Sequence, residues 1–502
     1  MSDASLEDPN PVVAEEHELK RTMGPVHLTM LGIGAIIGAG IFVYTGQVAA
    51  DYAGPAVLIS FVIAGLGCLF AGLCYAEFAS MIPVSGSAYT YAYATMGRFV
   101  AWFIGWNLVL EYLVSSSAVA VGWSGYFNEL MQLMHINFPA ALTNAPICVV
   151  GDPPPCPHIV GVPGWGWDAF IHQFGTTGAI MNLPAVLLIL VLTAVLVVGV
   201  RESANTNAIM VGIKVVVVLM VIAFGLSHID WNNFTPFIPE NTGKFGRFGW
   251  SGVAMGSAII FFAYIGFDSV SVAAQETKNP QRDLPIGILA SLFICTALYI
   301  VISVVLLGMA HYSTMSNVPN PVSFAVGKVA SLHWLVPVID IGASVGLAST
   351  IFVGLYGQSR IFYSMSRDGF LPKMFANVHP RFHTPHRGTI VTGLFAAALA
   401  AVFPLNLLGQ LVSIGTLLAF SVVCIGILIL RVQAPNAKRP FRTPYAWVMA
   451  PLGVLFCVGM AASLPFDTWL RLVIWTAIGV AIYLVYGVRH ALPSKWAVKK
   501  DG

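Results

Sequence analysis

Residues 28–45 read LTMLGIGAIIGAGIFVYT, an apolar stretch whose middle contains four glycines, Gly32, Gly34, Gly38 and Gly40. Glycine in a helix interior costs about 1 kcal/mol relative to alanine, so this cluster predicts a break in the helix. In a bilayer, a broken backbone is tolerated only where it is buried in protein or lines a wet cavity. Close helix packing through small residues is the alternative, but glycines gathered around one point favour a break.

A second stretch of this kind lies far downstream, at residues 256–272, which read GSAIIFFAYIGFDSVSV. Gly266 falls in mid-span and is followed by Asp268, a charge inside an apolar run. The freed N–H and C=O groups of a broken helix can act as ligands, and the N-terminus of its second half suits a carboxylate. Interrupted hydrophobic segments in two halves of a chain therefore point to the binding site of a transporter.

The composition predicts a membrane protein. Of the 502 residues, 57% are hydrophobic and only 9% are charged, whereas soluble domains carry about 25% charged residues. We therefore expect an all-α polytopic membrane protein. The net charge of +2 gives no indication of a nucleic-acid partner. No cleavable signal peptide is evident, and Lys20 and Arg21 abut the first apolar run, as in a cytoplasmic tail.

Twelve apolar segments are long enough to cross a bilayer, since a spanning helix needs about 20 residues. They lie near residues 28–51, 56–81, 99–128, 183–200, 205–227, 250–274, 285–310, 336–364, 389–405, 409–431, 444–463 and 468–488. An even number of crossings leaves both termini on one side. With the termini inside, 19 of the 24 lysines and arginines are cytoplasmic and four are external, which predicts cytoplasmic termini.

The two broken segments belong to crossings 1 and 6, so the second set of helices enters the membrane from the opposite side. This arrangement predicts two inverted five-helix repeats, with the site at the midplane between them. The expected parts are a cytoplasmic N-terminal tail (1–24), a core (25–432) with repeats at about 28–227 and 250–431, two further helices (433–490) and a cytoplasmic C-terminal tail (491–502).

Three connecting segments carry specific expectations. Residues 82–98, rich in tyrosine, predict an amphipathic helix lying along the inner interface. Residues 321–330, PVSFAVGKVA, predict a short external helix that could form an outer lid. Cys148 and Cys156 flank GDPPP in a long external loop, and a disulfide between them is left open, because it would require an oxidising side. No residue spacing resembles a metal site, and no cofactor is predicted.

Ionisable residues inside the membrane are functional hypotheses by default. Lys214 lies near the middle of crossing 5, with no acid on its own helix face. It could load and release the coupling proton, act as a fixed structural cation, or reach towards an interface. Glu111, midway along crossing 3, could face the cavity and attract a cationic group, or it could be protonated and packed.

Three further acids have supporting interpretations. Asp268 could hydrogen-bond the backbone groups freed by the second break. Glu77, near the inner end of crossing 2, could pair with a cytoplasmic arginine as a gate. Asp340, near the outer end of crossing 8, is expected to lie at the interface.

These features favour a secondary carrier over other classes of protein. No GxSxG, HExxH or paired aspartates lie in helices, so the chain is not predicted to be an enzyme. A channel would need rings of charge, and a sensor typically carries a large soluble domain or tail. An exchanger, which cycles only when loaded on both sides, is the open alternative.

The chain resembles the amino acid–polyamine–organocation superfamily over roughly residues 24–490. The resemblance is closest to the cationic amino acid transporter branch and its bacterial proton-coupled members. It rests on the motifs GIGAIIGAGIF, CYAEFASMIPVSGSAYTYAYATMG, FFAYIGFDSVSVAAQETKNPQRDLPIGI and YGQSRIFYSMSRDGFLP. The resemblance implies a LeuT-type fold of ten helices in two inverted repeats plus two more, in the cell membrane, carrying an amino acid with protons.

The resemblance also implies roles for individual residues. Backbone N–H groups of the first break would meet the α-carboxylate of the substrate, and carbonyl groups of both breaks would meet its α-amine. The first set matches Ile37, Gly38, Ala39 and Gly40, and the second matches Ile36, Phe262, Ala263 and Ile265. Lys214 matches the lysine that replaces sodium in bacterial members, which favours proton coupling.

The side-chain end of the site is expected between crossings 3, 6, 8 and 10. Gly354 in crossing 8 would leave room for a long side chain, with Glu111 on a neighbouring helix. Lysine, arginine or ornithine could therefore fit, as well as small neutral amino acids. The sequence does not indicate whether a small membrane-protein partner associates.

Overall fold

The computed structural model describes residues 23–83, 86–149, 158–159, 174–198, 203–316, 318–382 and 384–492. Within them, nine helical stretches are long and apolar enough to span a membrane. Three shorter apolar helices accompany these: Pro25–Ile36, Leu183–Val198 and His386–Val402. The protein is therefore a predominantly helical, integral membrane protein, as its composition predicted. The predicted tails fall outside the described residues, apart from 23–24 and 491–492.

The α-helices are numbered in chain order. They are α1 Pro25–Ile36, α2 Thr45–Val48, α3 Val57–Met81, α4 Ser87–Thr95, α5 Arg98–Val109, α6 Ser115–Leu133, α7 Leu183–Val198, α8 Ser203–Gly225, α9 Gly249–Ile260, α10 Ser269–Val272, α11 Pro280–Met309, α12 Pro321–Gly327, α13 Val336–Arg367, α14 His386–Val402, α15 Leu405–Gln433, α16 Ala446–Ser463, α17 Phe466–Ile482 and α18 Val488–His490.

Shorter helical turns extend or join these helices. The π-helical turns are Gly40–Tyr44, Ala49–Ala53, Leu110–Val114 and Tyr483–Gly487. The 3₁₀ turns are Gly54–Ala56, Ala140–Leu142, Leu226–His228, Trp231–Phe234, Phe261–Tyr264, Ala274–Glu276, Tyr312–Met315, Ala330–Leu335 and Lys373–Ala376. Three strands form one antiparallel sheet in the order β1-β3-β2: β1 Ile147–Val149, β2 His158–Ile159 and β3 Phe174–Thr176.

Both predicted breaks are present. Helix α1 ends at Ile36, Ile37 is extended (ψ 95°), and helical structure resumes at Gly40. In the second break, α9 gives way to the turn Phe261–Tyr264, after which Ile265 is extended (ψ 135°). Gly266 then adopts a φ of +113°, a conformation that residues with a side chain rarely adopt.

The two breaks touch each other through glycines. A Cβ at Gly40 would collide with Ala263 in the second break, and one at Gly266 would lie 2.9 Å from the Cβ of Ala35 in the first. Each break therefore needs a glycine where the other break passes. Around them, α1 packs on α11, α6 packs on α13, and α3 lies between α11 and α16.

Helix α4 departs from the sequence-based expectation. Residues 82–98 were predicted to lie along the membrane interface, but every residue from Ser87 to Ala94 is buried. The tyrosines that suggested an amphipathic surface, Tyr89, Tyr91 and Tyr93, instead pack inside the protein. They pack against aromatic rings that include Phe78 and Phe370.

The segments that were predicted to be external agree with the sequence-based expectations in part. The predicted short helix is α12, and the hydroxyl of its Ser323 donates a hydrogen bond to Asp340 on α13. Asp340 is fully buried there, contrary to the expected interfacial position, because α12 covers it. Cys148 on β1 is disulfide-bonded, but Cys156 lies outside the described residues, so the pairing of these two cysteines stays a prediction.

Candidate functional site

A small cavity lies where the two breaks meet. The first break, the second break, α13 and the junction of α5 and α6 all contribute to its wall. The lining residues are Ala35, Ile36, Gly38, Ala39, Gly40, Glu111, Tyr112, Ser115, Val119, Phe262, Ile265, Gly266, Asp268, Ser269, Thr350, Val353 and Gly354. Most of the residues predicted from the sequence therefore lie on one cavity.

The predicted carboxylate site faces this cavity through Gly38, Ala39 and Gly40. Among the described residues, their N–H groups donate to no backbone outside their own helix. They begin the second half of the broken helix, where the first N–H groups have no intrahelical partner and carry partial positive charge. Ile37 does not line the cavity, and its N–H already donates to the carbonyl oxygen of Ile33 at 2.9 Å.

The predicted amine ligands are already shared with a tyrosine. The Tyr299 hydroxyl on α11 lies 2.8 Å from the carbonyl oxygen of Ile36 and 2.9 Å from that of Ala263. A hydroxyl has one proton to donate, while each carbonyl can accept two hydrogen bonds. Both carbonyls therefore retain capacity for a further donor. Phe262 and Ile265 line the cavity directly.

Lys214 on α8 connects the first break to α13. Its Nζ donates to the carbonyl oxygens of Gly34 and Ile37, the latter at 2.8 Å, and to the Ser349 hydroxyl at 3.0 Å. An ammonium has three donors, which these three acceptors can occupy, and the Thr350 hydroxyl lies farther away, at 3.5 Å. The side chain is fully buried, and it forms no ion pair with a carboxylate in the described part of the chain. Its burial excludes the third sequence-based alternative, an interfacial position.

Glu111 lies on the π-helical turn Leu110–Val114 and lines the cavity. Only 2% of its surface is exposed. Its carboxyl faces the Asp268 carboxyl, and no other group of the described residues donates a hydrogen bond to either oxygen. A buried polar group without a partner is unfavourable. Both sequence-based alternatives, attraction of a cationic group and a protonated carboxyl, are compatible with this environment.

Asp268 has partners beyond those expected. Its Oδ2 accepts hydrogen bonds from the hydroxyls of Tyr112 at 2.5 Å and Ser87 at 2.9 Å, two partners that the sequence did not indicate. The Asp268 carboxyl also interacts with the Glu111 carboxyl and with its own backbone N–H. Since Asp268 also lines the cavity, this carboxyl connects the site to α4.

A comparison with known proteins identifies the family. Residues 23–488 match the family model described as "Amino acid permease". The chain belongs to the amino acid permease family. It is therefore a transporter of the amino acid–polyamine–organocation superfamily and not an enzyme, as the sequence motifs implied.

Three relatives of this permease are named for different transported substrates. The chain is 43% identical over 482 residues to the "Methylthioribose transporter" of Bacillus subtilis (strain 168), covering 96% of each chain. It is 42% identical over 487 residues to the "Branched-chain amino acid permease BcaP" of the same organism, covering 97% of each. It is 36% identical over 423 residues to the Arabidopsis thaliana "Cationic amino acid transporter 4, vacuolar", covering 84% of this chain and 65% of that one.

Gly354 of the permease does not leave the space that the sequence suggested. A Cβ there would collide with the Ser116 hydroxyl and lie 3.1 Å from the Tyr112 carbonyl oxygen. The glycine therefore allows α13 and the adjoining helix to approach closely. The expectation that its missing side chain makes room for a long substrate is wrong at this position.

Glu77 lies outside the cavity, in a buried ion cluster at one end of α3. Its carboxylate accepts two hydrogen bonds from Arg431, at 2.7 and 3.1 Å, and one from the Thr443 N–H at 2.8 Å. Arg439 adds an ion pair at 3.2 Å. The expected arginine partner is thus present, while the gating role stays a prediction. The cluster fixes the loop before α16 to α3.

Several site residues of the permease were missed from the sequence. Tyr299, Tyr112, Ser349 and Thr350 are neutral, and they lie in helices whose other residues are largely apolar. Hydroxyl-bearing residues are frequent in such helices, and only the folded arrangement brings these four against the breaks, Lys214 and Asp268. An isolated tyrosine in an apolar run, such as Tyr299, was the one available signal.

Proposed function

We propose that this permease carries amino acids across the cell membrane together with protons, by alternating access. The observation that supports the proposal most directly is the buried Lys214 ammonium, bonded to the first break beside the cavity. Family membership supports amino acids as the substrate class.

The proposed architecture is a LeuT-type core of two inverted five-helix repeats plus two helices, with twelve crossings. The 42-residue stretch Gly40–Met81 would extend about 60 Å at 1.5 Å per residue, twice the hydrocarbon thickness. We count it as two crossings, which turn at Gly54, where φ is +61°. Adding the shorter helices α7 and α14 gives twelve. Lysine and arginine distribution favours cytoplasmic termini.

The substrate is proposed to bind between the breaks. Its carboxylate would accept hydrogen bonds from the free N–H groups of Gly38, Ala39 and Gly40, where the helix terminus favours negative charge. Its amine would donate to the carbonyls of Ile36 and Ala263, which Tyr299 leaves partly unoccupied. The opposite charges of the two substrate groups then match the opposite polarity of the two sets of backbone groups.

The proposed proton carrier is Lys214. A neutral amine has only two N–H donors, so loss of the proton removes at least one of its three hydrogen bonds. Deprotonation would therefore weaken the connection between the first break and α13. A proton taken up at this site and a substrate bound at the adjacent break would favour the same arrangement, which is the requirement for symport.

The alternative is an amino acid exchanger in which Lys214 is a permanently charged replacement for a metal ion. The same three hydrogen bonds support it, because they suit a fixed cation equally well. The two functions differ in one respect only, namely whether the lysine releases its proton during the cycle.

The substrate side chain is proposed to lie near Glu111. With Glu111 ionised, its carboxylate, which accepts no hydrogen bond from an ordinary donor group of the described residues, would stabilise a cationic side chain, as the name of the Arabidopsis relative suggests. With Glu111 protonated, the cavity would suit neutral side chains, as the branched-chain relative suggests. The methylthioribose relative adds a neutral, hydroxyl-bearing candidate to any test.

The test is uptake by liposomes that contain the purified protein. Radiolabelled branched-chain, small neutral and cationic amino acids and methylthioribose would be offered with an inward proton gradient, with and without sodium. Accumulation of an amino acid that disappears on dissipating the gradient, and does not require sodium, supports the proposal. Uptake that requires a preloaded amino acid favours the exchanger, and transport of methylthioribose alone contradicts an amino acid substrate.

A further inference from the structure

Helix α4 extends from the cavity to the protein surface. Its first residue, Ser87, is fully buried and donates its hydroxyl to the cavity-lining Asp268. At the other end, Gly97 and Arg98 are exposed. The nine residues of α4 cover about 13 Å at 1.5 Å per residue. The helix therefore occupies the route between the cavity and the face of the protein that carries the last described residues.

The surface half of α4 is attached to the C-terminal segment, Val488–Leu492. The Tyr93 hydroxyl donates to the carbonyl oxygen of Leu492. The N–H of Leu492 donates to the carbonyl oxygen of Asp368, just after α13, at 2.9 Å. Tyr89 completes the arrangement, because its hydroxyl donates to the Asp368 carboxylate at 2.7 Å.

The residues that follow α13 allow the C-terminal segment and α4 to approach closely. Gly369 has a φ of +83°, and a Cβ there would collide with the carbonyl oxygen of His490. Phe370 packs edge-on against Tyr89 and Tyr93, at centroid distances of 6.0 and 5.3 Å. Burial raises the pKa of Tyr93 to about 12, so its hydroxyl remains a hydrogen-bond donor at neutral pH.

We propose that α4 closes the cavity towards the face that carries Val488–Leu492, and that residues 488–492 form a strap that stabilises this closed state. Ser87 holds the cavity end of α4 and the strap holds its surface end. Release of the strap allows α4 to move and the cavity to open on that face. The inference rests on the proposed alternating access but requires neither proton coupling nor a particular substrate.

The hydrogen bonds of the strap can be removed without large changes in packing. The double variant Tyr89→Phe/Tyr93→Phe keeps both rings and removes both hydroxyls. Leu492→Pro independently removes the N–H that donates to Asp368, because proline has no backbone donor. Ala491 already has the extended conformation (φ −63°, ψ 125°) that a residue before proline prefers. Tyr486→Phe is the matched control, since its hydroxyl bonds to no other described residue.

The assay measures access to the cavity. A reporter cysteine replaces the cavity-lining Val353 in each variant, and a charged, membrane-impermeant methanethiosulfonate is applied to either face in oriented vesicles. Five native cysteines are buried, and the protein without the reporter gives the background. Labelling requires no transport, so it can fail or succeed independently of the uptake experiment.

Both strap variants are expected to increase the labelling rate from the face that carries the strap by about fivefold or more, corresponding to roughly 1 kcal/mol. The Tyr486→Phe control should leave the rate unchanged, and labelling from the opposite face should not increase. Parental labelling rates in both strap variants would overturn the proposal. Equal acceleration from both faces would also overturn it, since general loosening would then replace selective opening.

Discussion

Replacement of Lys214 by methionine removes the donors at the first break while keeping a long apolar stem. Three hydrogen bonds are lost, to Gly34, Ile37 and Ser349. The Thr350 hydroxyl lies 3.4 and 3.1 Å from the first two carbonyls, but its single proton can serve only one of them. Thr350 also lies on α13, so it does not replace the two charge-assisted bonds, to Gly34 and Ile37, that attach the first break to α8. At about 1.5–3 kcal/mol each, the first break loses roughly 3–6 kcal/mol of attachment to α8.

The substitution also removes the proposed proton carrier, and this should abolish accumulation driven by a pH gradient. If one proton accompanies each substrate, a gradient of one pH unit supplies about 1.36 kcal/mol, enough for roughly tenfold accumulation. We expect Lys214→Met to reduce this ratio to about one in liposomes, because no group at the break then carries the proton. Substrate-induced thermal stabilisation, measured in detergent, should persist, because the N–H groups of Gly38–Gly40 remain.

The matched control is Lys214→Arg, which keeps a positive charge but cannot release it, since guanidinium does not deprotonate in proteins. Arginine should therefore abolish pH-driven accumulation and permit exchange of labelled for unlabelled substrate. Accumulation by either variant at the parental ratio would refute the role of Lys214 as the proton carrier.

Three further predictions concern the surrounding structure. Tyr299→Phe leaves one buried break carbonyl without its donor, at a cost of about 1–3 kcal/mol; kcat/KM for uptake should fall about tenfold, and an unchanged value would contradict this. Glu77→Gln should destabilise the protein by about 3–5 kcal/mol, measured as a lower unfolding temperature. The control Glu276→Gln changes a partly exposed carboxylate that lies 3.4 Å from the Tyr356 hydroxyl, and it should cost under about 1 kcal/mol. Equal shifts in unfolding temperature would argue against the buried cluster. Gly266→Ala should prevent folding or transport, because φ is +113° and the new Cβ would lie 2.9 Å from Ala35; normal yield and uptake would show that the second break tolerates a side chain.

The two breaks were predictable because their cause is local. Glycines clustered at Gly38 and Gly40, and Gly266 before Asp268, disfavour a continuous helix whatever surrounds them. The composition and the apolar segments likewise identified a helical membrane protein. Lys214 was found for a related reason, since a charge deep in an apolar run has few explanations.

The sequence was least informative for residues whose surroundings are set by tertiary contacts. The missing side chain of Gly354 is replaced by Ser116 on a neighbouring helix, which no spacing within crossing 8 could reveal. The tyrosines of α4 resemble those of an interfacial helix, yet Phe370 and the C-terminal segment cover them. Asp268 accepts hydrogen bonds from hydroxyls on two distant segments, which no local pattern indicated. Each case depends on which helices meet.

The central claim is that substrate and proton cross together, and the most direct measurement records both in one experiment. Liposomes containing the permease and a pH-sensitive dye would receive external substrate with no initial pH gradient. The account predicts acidification of the lumen that begins with substrate addition and is absent in Lys214→Met. Entry of labelled substrate without any change in lumenal pH, in vesicles shown to hold a pH gradient, would contradict it.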